Sequence, residues 1–400
     1  MLVITVAGVI NPVASEFIGK SIKTADEIGA GALVIKLDTP GGLDTSMRTI
    51  VKDIIGSRVP VVVFVAPSGA RAASAGVFIT FAAHVAAMAP GTNIGAAHPV
   101  SVTGKMDENM AKKVTNDAAA YIRSLAERNG RNAVWAEEAV RKSISATESE
   151  ALKQNVIDLI SRDLKTLLED IDGMEVIVAT GKRSLSTSGA VIIAKEMGVR
   201  YKILNFISDP NIAYMLMLLG FYGLFFELTN PGAIFPGVTG AICLVLAFYS
   251  FQTLPVNYAG VLLIILGMIL FILEIKVISY GALTIGGIIS MVMGSLMLFD
   301  SPSPFFRISL YLILPTVIVT ALFFSVVVSL VFKAQKRKPV TGAEGMIGLE
   351  GIANTDITKD GGVISLHGEL WSAYSDETIL KGERAIIEAV NGLKVKAKKA

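Results

Sequence analysis

Leu33-Val34-Ile35-Lys36-Leu37-Asp38-Thr39-Pro40-Gly41-Gly42-Leu43-Asp44 is the stretch on which the fold of the N-terminal half turns. Leu33–Leu37 reads as a short buried strand. Pro40-Gly41-Gly42 is a turn signal, and Leu43–Ile55 carries Met47, Ile50, Val51 and Ile54 at helical spacing. The same strand–turn–helix grammar extends outward. Upstream, Leu2–Val9 reads as a strand and Pro12–Ile28 as a helix with Val13, Phe17, Ile18, Ile22, Ala25 and Ile28 inward. Downstream, Val61–Val65 reads as a third strand bounded by Pro60 and Pro67, and helices are expected at Glu108–Arg128, Ala133–Lys142 and Ser149–Gln154. Short apolar strands alternating with amphipathic helices predict a mostly parallel α/β sheet covered on both faces. Residues 166–207 are mixed and read as the end of this domain plus a connector.

Beyond this domain the composition changes. The chain has 400 residues, 52% of them hydrophobic and 18% charged, with mean hydropathy +0.60. Residues 209–332 carry only six charges: Asp209, Glu227, Glu274, Lys276, Asp300 and Arg307. Five apolar segments follow one another, near 211–228, 236–252, 257–275, 280–299 and 308–332. Pro231-Gly232, Pro255, Tyr280-Gly281 and Ser301-Pro302 punctuate them. Such segments predict membrane helices. A weak repeat, Phe226-Glu227 with Gly232-Ala233 and Gly237 against Leu273-Glu274 with Gly281-Ala282 and Gly286, suggests two helical hairpins. The cations of Lys333-Ala334-Gln335-Lys336-Arg337-Lys338 place the end of the last span in the cytoplasm by the positive-inside rule. An odd number of spans then puts residues 1–207 outside. The first apolar run, Leu2–Ile10, is too short to span a bilayer and lacks a basic region before it, so this orientation implies a leader beyond the sequence. Residues 340–400 alternate apolar and polar residues at Gly362–Leu366, Ala385–Val390 and Leu393–Ala397, with Gly361-Gly362 and Asn391-Gly392 turns. That pattern predicts a five-stranded barrel of OB type.

Several function classes fall away. A net charge of +2 supplies no basic field for nucleic acid, and the barrel's Trp371 and Tyr374 are too few for a stacking platform. One cysteine, Cys243, and three histidines, His84, His98 and His367, make neither a disulfide framework nor a metal-ligand set. Asp38-Thr39-Pro40-Gly41-Gly42 is no P-loop, and Gly29-Ala30-Gly31 does not extend to a dinucleotide fingerprint. Neither a metal nor a cofactor is expected. Glu227, Glu274 and Lys276 sit near segment ends, which argues against a transporter.

Three stretches could carry chemistry. The paired glycines after Asp38 allow a sharp turn that presents amide hydrogens at the carboxyl end of a strand. In Ser68-Gly69-Ala70-Arg71-Ala72-Ala73-Ser74-Ala75-Gly76, Ser74 lies among small residues at the expected start of a helix. A substrate could approach its hydroxyl, and the helix terminus offers free amides to an oxyanion; a simple N-cap serine is the plainer alternative. A nucleophilic serine needs a base. The candidates are His98, His84 or a lysine of Lys112-Lys113-Val114-Thr115-Asn116. A lysine base must be neutral, which asks its pKa to fall from about 10.4 toward about 7–8 at a cost of about 4 kcal/mol.

Taken in order, these stretches resemble the long-form NfeD family of membrane-bound serine proteases, whose protease domain is similar to ClpP and signal peptide peptidase A. Asp38–Gly42 looks like the family's oxyanion loop and Ala73-Ser74-Ala75-Gly76 like its nucleophile turn. Ala87–Ala96 looks like the segment lining the site, and Lys113-Val114-Thr115-Asn116 with Tyr121–Ala126 like the helix supplying the base. Asp209-Pro210-Asn211 with Gly232, and Gly368–Ala373, look like the membrane entry and the OB module. The resemblance implies a ClpP/crotonase-like α/β domain at 1–190, a connector at 191–208, a transmembrane region of about five helices at 209–333 and an OB-fold module at 340–400. It implies Ser74 as nucleophile, Lys113 rather than Lys112 as base, and the amides of Gly42 and Ala75 as oxyanion hole. His98 is the departure that matters, since ClpP-type enzymes place their catalytic histidine near there. Implied further are endoproteolysis of hydrophobic segments of stomatin-like membrane proteins, a role in membrane protein quality control, homo-oligomers, and a location in the cell membrane with the protease domain outside. The competing readings are a crotonase-like acyl-CoA enzyme and a non-catalytic scaffold partnering a stomatin-like protein.

Overall fold

The computed structural model describes residues 1–101, 107–229, 232, 234–252, 254–277, 279–299, 301, 306–335 and 343–400. Of the sequence features above, Pro231, Ala233, Asp300, Pro302 and the cations Lys336, Arg337 and Lys338 lie outside them. The chain divides into two compact units, residues 1–270 with 285–319 and residues 271–284 with 320–400.

The first unit begins with β1 (Leu2–Ala7), α1 (Pro12–Glu27), β2 (Leu33–Asp38), α2 (Asp44–Ile55), β3 (Val61–Val65), β4 (Arg71–Ala73), α3 (Ala75–Ala82), β5 (Val85–Met88) and β6 (Asn93–Gly95). There follow α4 (Glu108–Arg128), α5 (Ala133–Arg141), β7 (Ser145–Thr147), α6 (Glu148–Lys153), β8 (Leu159–Ile160), α7 (Leu164–Asp170), β9 (Glu175–Val178), β10 (Gly181–Ser184), β11 (Ile193–Lys195) and α8 (Val199–Ile207). Six strands form one sheet in the order β11-β1-β2-β3-β5-β8, every pair parallel. Its strands β3 and β5 are apolar throughout because helices cover both faces, while β1 and β2 carry Thr5, Lys36 and Asp38. On one face Leu2, Ile4, Val6, Leu33, Ile35, Leu37, Val61, Val63 and Val65 pack against α1, α2 and α3. On the other, Val3, Val34, Val62, Phe64, Val85 and Ala87 pack with Leu167, Leu168 and Ile171 of α7. Each fully buried side chain of this size contributes about 1.5–3 kcal/mol.

A second, three-stranded sheet, β4-β6-β7, stands beyond the carboxyl ends of the main strands. It is joined to the main sheet by a bridge between Thr39 and Ala72. β9 and β10 make a separate hairpin. β11, within the stretch read as connector, adds an edge strand beside β1. α8 is tied back by Asn205, whose Oδ1 accepts from Asn11 Nδ2 at 2.8 Å.

The apolar region is helical: α9 (Pro210–Thr229), α10 (Ile234–Phe251), α11 (Tyr258–Lys276), α12 (Ala282–Leu298) and α13 (Leu310–Gln335). Among the described residues Pro210–Leu228 and Ile234–Phe251 are long and apolar enough to cross a membrane; Tyr258–Glu274, Ala282–Leu298 and Leu310–Val326 are shorter apolar helices. Glycines let paired helices touch backbone to backbone. A Cβ on Gly223 would meet the Pro236 carbonyl oxygen at 2.4 Å, and one on Gly294 would meet the Gly260 carbonyl oxygen at 2.8 Å. These two contacts, α9 on α10 and α11 on α12, are the two hairpins anticipated from the repeat.

In the second unit Glu274 is buried, yet it is fully partnered. Its carboxylate accepts from Ser279 Oγ at 2.7 Å, Gly281 N at 3.0 Å and Thr284 N at 2.9 Å. The chain ends in α14 (Ala343–Met346), β12 (Glu350–Ala353), β13 (Gly362–Leu366), β14 (Glu369–Tyr374), β15 (Arg384–Asn391) and β16 (Lys394–Lys399). The strands close into a five-stranded barrel in the order β12-β13-β14-β16-β15. β14 and β16 are its one parallel pair, which is OB-like topology. Ile357, Ile364, Leu366, Ile379, Ile387 and Val395 fill it.

Candidate active site

Two turns meet where the main sheet ends. After β2, Thr39 is wholly buried; its Oγ1 accepts from the Gly41 amide at 3.0 Å. The Gly41 carbonyl accepts from the Ile10 amide at 2.8 Å, and the Leu43 amide donates to the Ile10 carbonyl at 2.8 Å. This pins Gly42 against Ile10 so closely that a Cβ on Gly42 would lie 2.0 Å from the Ile10 oxygen. The second turn follows β4. Ser74 stands between β4 and α3 with φ 53° and ψ −113°, a backbone conformation L residues rarely adopt. Its amide donates to the Gly95 carbonyl at 3.1 Å, and its carbonyl accepts from Val77 at 3.1 Å. The strained turn lifts the Ser74 side chain away from the helix: the hydroxyl makes no capping bond to α3. The plain N-cap reading is thereby set aside. Strain of this kind costs about 1–3 kcal/mol and gathers at functional sites.

Gly41 is the neighbour that makes room. It has φ +117°, and a Cβ there would lie 2.6 Å from Ser74 Cβ and 3.1 Å from its Oγ. Gly76 likewise leaves space for Thr39, whose Cγ2 would be 2.7 Å from an added Cβ. Ala75 is the first residue of α3, where an amide has no partner within the helix. A reacting carbonyl beside Ser74 would therefore face both the Gly41-Gly42 turn and a helix N-terminus.

A cavity of about 110 Å³ opens at Ser74. Gly41, Gly42, Ser74 and Ala75 form its polar floor. Val9, Met47 and Phe78 give apolar walls, Ala97, Pro99 and Val100 a rim, and Ala118 of α4 one side. Ser301 and Phe306, from the connection between α12 and α13, also line it, as do Pro40, Asp44 and Ser101. α4 is docked there through Tyr121, which stacks on Phe78 with ring centroids 6.0 Å apart. The Arg48 guanidinium lies 4.7 Å from the Tyr121 ring centre and also bonds Asp44 and Asp117. Burial pushes the Tyr121 hydroxyl pKa up.

The candidate bases differ in where they point. His98 lies between two cavity-lining residues, Ala97 and Pro99, but its Nδ1 faces the Val140 carbonyl at 2.8 Å and must carry the proton there. His98 is not itself among the residues lining the cavity. His84 sits at the opposite end of the sheet, where its Nδ1 accepts from the Val61 amide at 3.0 Å. Burial, with the nearby positive charges of Arg128 and Arg131, lowers its pKa to about 4. Lys113 is exposed on α4, five residues before Ala118 and so on a different side of that helix, outside the cavity lining. Lys112 is paired with Glu108 at 2.8 Å. The structure thus brings together Ser74, Gly42 and Ala75, and leaves Lys113 apart from them. Among the described residues no group of histidine, cysteine and carboxylate side chains could hold a metal. Among the cavity residues that sequence reasoning missed are Met47, Ser301 and Phe306. Met47 carried a signal, its place on the inward face of α2; the other two carried none.

Comparison with known proteins bears on the whole chain. Three family descriptions match in order: "NfeD1b, N-terminal domain" over residues 1–168, "NfeD integral membrane domain" over 211–330 and "NfeD-like C-terminal, partner-binding domain" over 343–399. A membrane-bound protease of Pyrococcus horikoshii is 38% identical over 385 residues, covering 93% of this chain and 87% of the relative.

The chain belongs to the NfeD family.

A second relative, membrane protein NfeD1b of Bacillus subtilis, is 30% identical over 65% of this chain and 58% of its own length. Among solved structures, a 1510-N membrane-bound stomatin-specific protease in complex with a substrate peptide, a variant with one lysine replaced by alanine, is 36% identical. The match covers 52% of this NfeD chain and 97% of that one, with TM-score 0.49. ClpP1 from Listeria monocytogenes is 20% identical, covers 40% of this chain and 91% of its own, and gives TM-score 0.35. This NfeD protein is a membrane protein, with its apolar helices in the region that matches the integral membrane domain.

Proposed function

We propose that this NfeD chain is a membrane-bound serine endopeptidase with Ser74 as nucleophile. The observation that carries the reading is the Ser74 turn itself: a non-glycine residue held at φ 53° with its hydroxyl released toward an apolar cavity. A peptide carbonyl seated there is attacked by Oγ. The developing oxyanion is held by the amides of Gly42 and Ala75, which need no reorganisation because the two turns are already braced. Lys113 takes the Ser74 proton and returns it to the leaving amine, and water then hydrolyses the acyl-enzyme. An amine accepts a proton only when neutral, and near neutral pH that requires removal from water. Lys113 therefore has to approach the cavity, by movement of the first turns of α4 or from a second copy of the chain in a homo-oligomer. His98 is the second candidate: its Nδ1 bond to Val140 leaves Nε2 free to accept a proton, but the residue is not among those lining the cavity.

The apolar walls suit hydrophobic segments, and a stomatin-like membrane protein is the substrate class suggested by the relative's specificity. The barrel at 343–399 would hold such a partner. The protease domain lies outside the cell membrane and the barrel in the cytoplasm. The test uses the full chain in detergent with an apolar peptide and a fluorophosphonate probe. Ser74→Ala should abolish both cleavage and labelling. Lys113→Ala should lower kcat by about 10⁴-fold or more, as removal of one member of a catalytic unit does, while His98→Ala keeps most of the activity. Loss in His98→Ala with retention in Lys113→Ala would move the base role. A wild-type chain that neither labels nor cleaves would refute the protease reading.

A further inference from the structure

One wall of the Ser74 cavity does not come from the α/β domain. Phe306 is only 6% exposed and borders the cavity together with Ser301, both on the connection between α12 and α13. Its other side borders a second cavity shared with Gly8 and Val9 of the β1–α1 turn, Pro210 at the start of α9, and Leu254 after α10. Two hydrogen bonds involve the described residues around Phe306. Arg307 Nε donates to the Ser301 carbonyl, and the Ser309 amide donates to Asn211 Oδ1 at 2.9 Å. Ile308 is buried beside it. Phe306 is thus a buried aromatic side chain that follows the fourth apolar helix and borders the cavity at Ser74.

We propose that Phe306 is a specificity-determining residue, the membrane region's contribution to the pocket that receives the substrate side chain next to the scissile bond. The inference rests on the protease reading above and adds to it the size of the side chain selected. The cavity measures about 110 Å³. An apolar protein cavity of roughly 150 Å³ holds a benzene ring, so this one takes an aliphatic side chain such as leucine, methionine or valine and excludes a large aromatic one. Its opposing walls, Met47 and Phe78, belong to α2 and α3. Removing the Phe306 ring opens the pocket on the membrane side without touching Ser74, Gly42 or Ala75.

The experiment uses the full chain in detergent and two peptides identical except for leucine or phenylalanine at the residue preceding the cleaved bond. The ratio of their kcat/KM values is the readout, because general damage lowers both terms together. Wild type should prefer leucine. Phe306→Ala should shift the ratio at least about tenfold toward phenylalanine, the scale on which pocket size discriminates. Phe306→Trp should shift the ratio the other way, further toward leucine, and serves if the smaller variant does not fold. Phe235→Ala, an 81% exposed phenylalanine of α10 away from the cavity, should leave the ratio where it is. An unchanged ratio in both Phe306 variants would overturn the inference while the protease reading stands. So would an equal gain on both peptides in Phe306→Ala, which would make the ring a plug. A wild-type protein that fails to label at Ser74 would remove the protease reading, and the pocket assignment with it.

Discussion

Gly41→Ala should disable the enzyme while leaving the fold intact, and its two costs can be separated. The first is conformational. Gly41 has φ +117°, where a side chain costs about 1–3 kcal/mol. The second is a collision. The new Cβ would start 2.6 Å from Ser74 Cβ and 3.4 Å from the Ala73 carbonyl oxygen. Carbon atoms rest at about 3.5–4.0 Å, so the pair must part by about 1 Å. Neither side yields freely: Gly41 is bonded to Thr39 and Ile10, and the Ser74 amide is bonded to Gly95. A displacement of about 1 Å at a reacting group costs on the order of 10²-fold in rate. Gly173→Ala is the control. It has φ +78° and nothing within 4 Å of its added Cβ, so it carries a backbone penalty without a collision. Both variants should melt lower than wild type in detergent. Gly41→Ala alone should lose about 100-fold or more in kcat/KM and in the rate of fluorophosphonate labelling. If the two variants label Ser74 at similar rates, the close approach of the two turns has no part in catalysis, and the site argued above is wrong.

Two further predictions concern stability. His84 has a folded-state pKa near 4 against an ordinary 6.5, so the unfolded chain binds the proton more tightly. The stability linked to it is whole above about pH 6.5 and is lost as the pH falls toward 4, by at most about 3 kcal/mol and less for the part of the ring still reached by water. The melting temperature of wild type should therefore fall between pH 7 and 4 more steeply than that of His84→Gln, and parallel curves would count against it. Arg131 is 1% exposed at its side chain, pairs with Asp158 at 2.7 Å and also donates to the Thr80 and Phe81 carbonyls. Arg131→Met should cost about 3–5 kcal/mol in denaturant unfolding, because Asp158 loses its counter-charge and the Thr80 and Phe81 carbonyls each lose one donor, keeping only the Ala83 amide and Asn129 Nδ2. A loss below about 1 kcal/mol, the scale of an exposed pair, would show that water replaces the guanidinium.

Where the sequence spoke through long periodic runs it was legible. β3 and α4 fall on the residues expected, Val61–Val65 and Glu108–Arg128, and α1, α2 and α5 end within a residue or two of the reading. All five apolar helices lie where uncharged segments were marked. The missing pieces are short. β4, β6 and β7 have three residues each and β8 has two, lengths at which periodicity has no meaning. β11 was read as connector because Ile193–Lys195 gains its strand character only by pairing with β1. At the site, the small residues around Ser74 announced an open turn, but no residue type announces φ 53°; that value follows from the Gly95 and Thr39 contacts around the turn. Phe306 was invisible for a different reason. It belongs to a stretch read only for its hydropathy, and its place at the cavity is set by how the chain returns after α12.

The division between what was legible and what was not follows the chemistry of the two halves of the site. One half of the proposed site is backbone: a turn at Gly41-Gly42, a helix start at Ala75 and a strained Ser74 between them. Glycines and small side chains mark in the sequence where such turns are permitted, while the contacts that fix Ser74 come from distant segments, at Gly95 and Thr39. The proton acceptor proposed above, Lys113, is one flexible side chain whose service would depend on being dry. Dryness is set by whatever covers the side chain, which can come from a distant loop or another copy of the chain. Lys113 carries the right sequence neighbours and stands exposed on α4. On the reading proposed above, covering the lysine is the activating step. Mixing Ser74→Ala chains with Lys113→Ala chains in one oligomer is then decisive. Recovery of activity, up to a fraction of wild type set by the share of mixed pairs, requires a lysine that crosses between copies. No recovery, with both parents inactive, assigns the covering to movement of α4 within one chain.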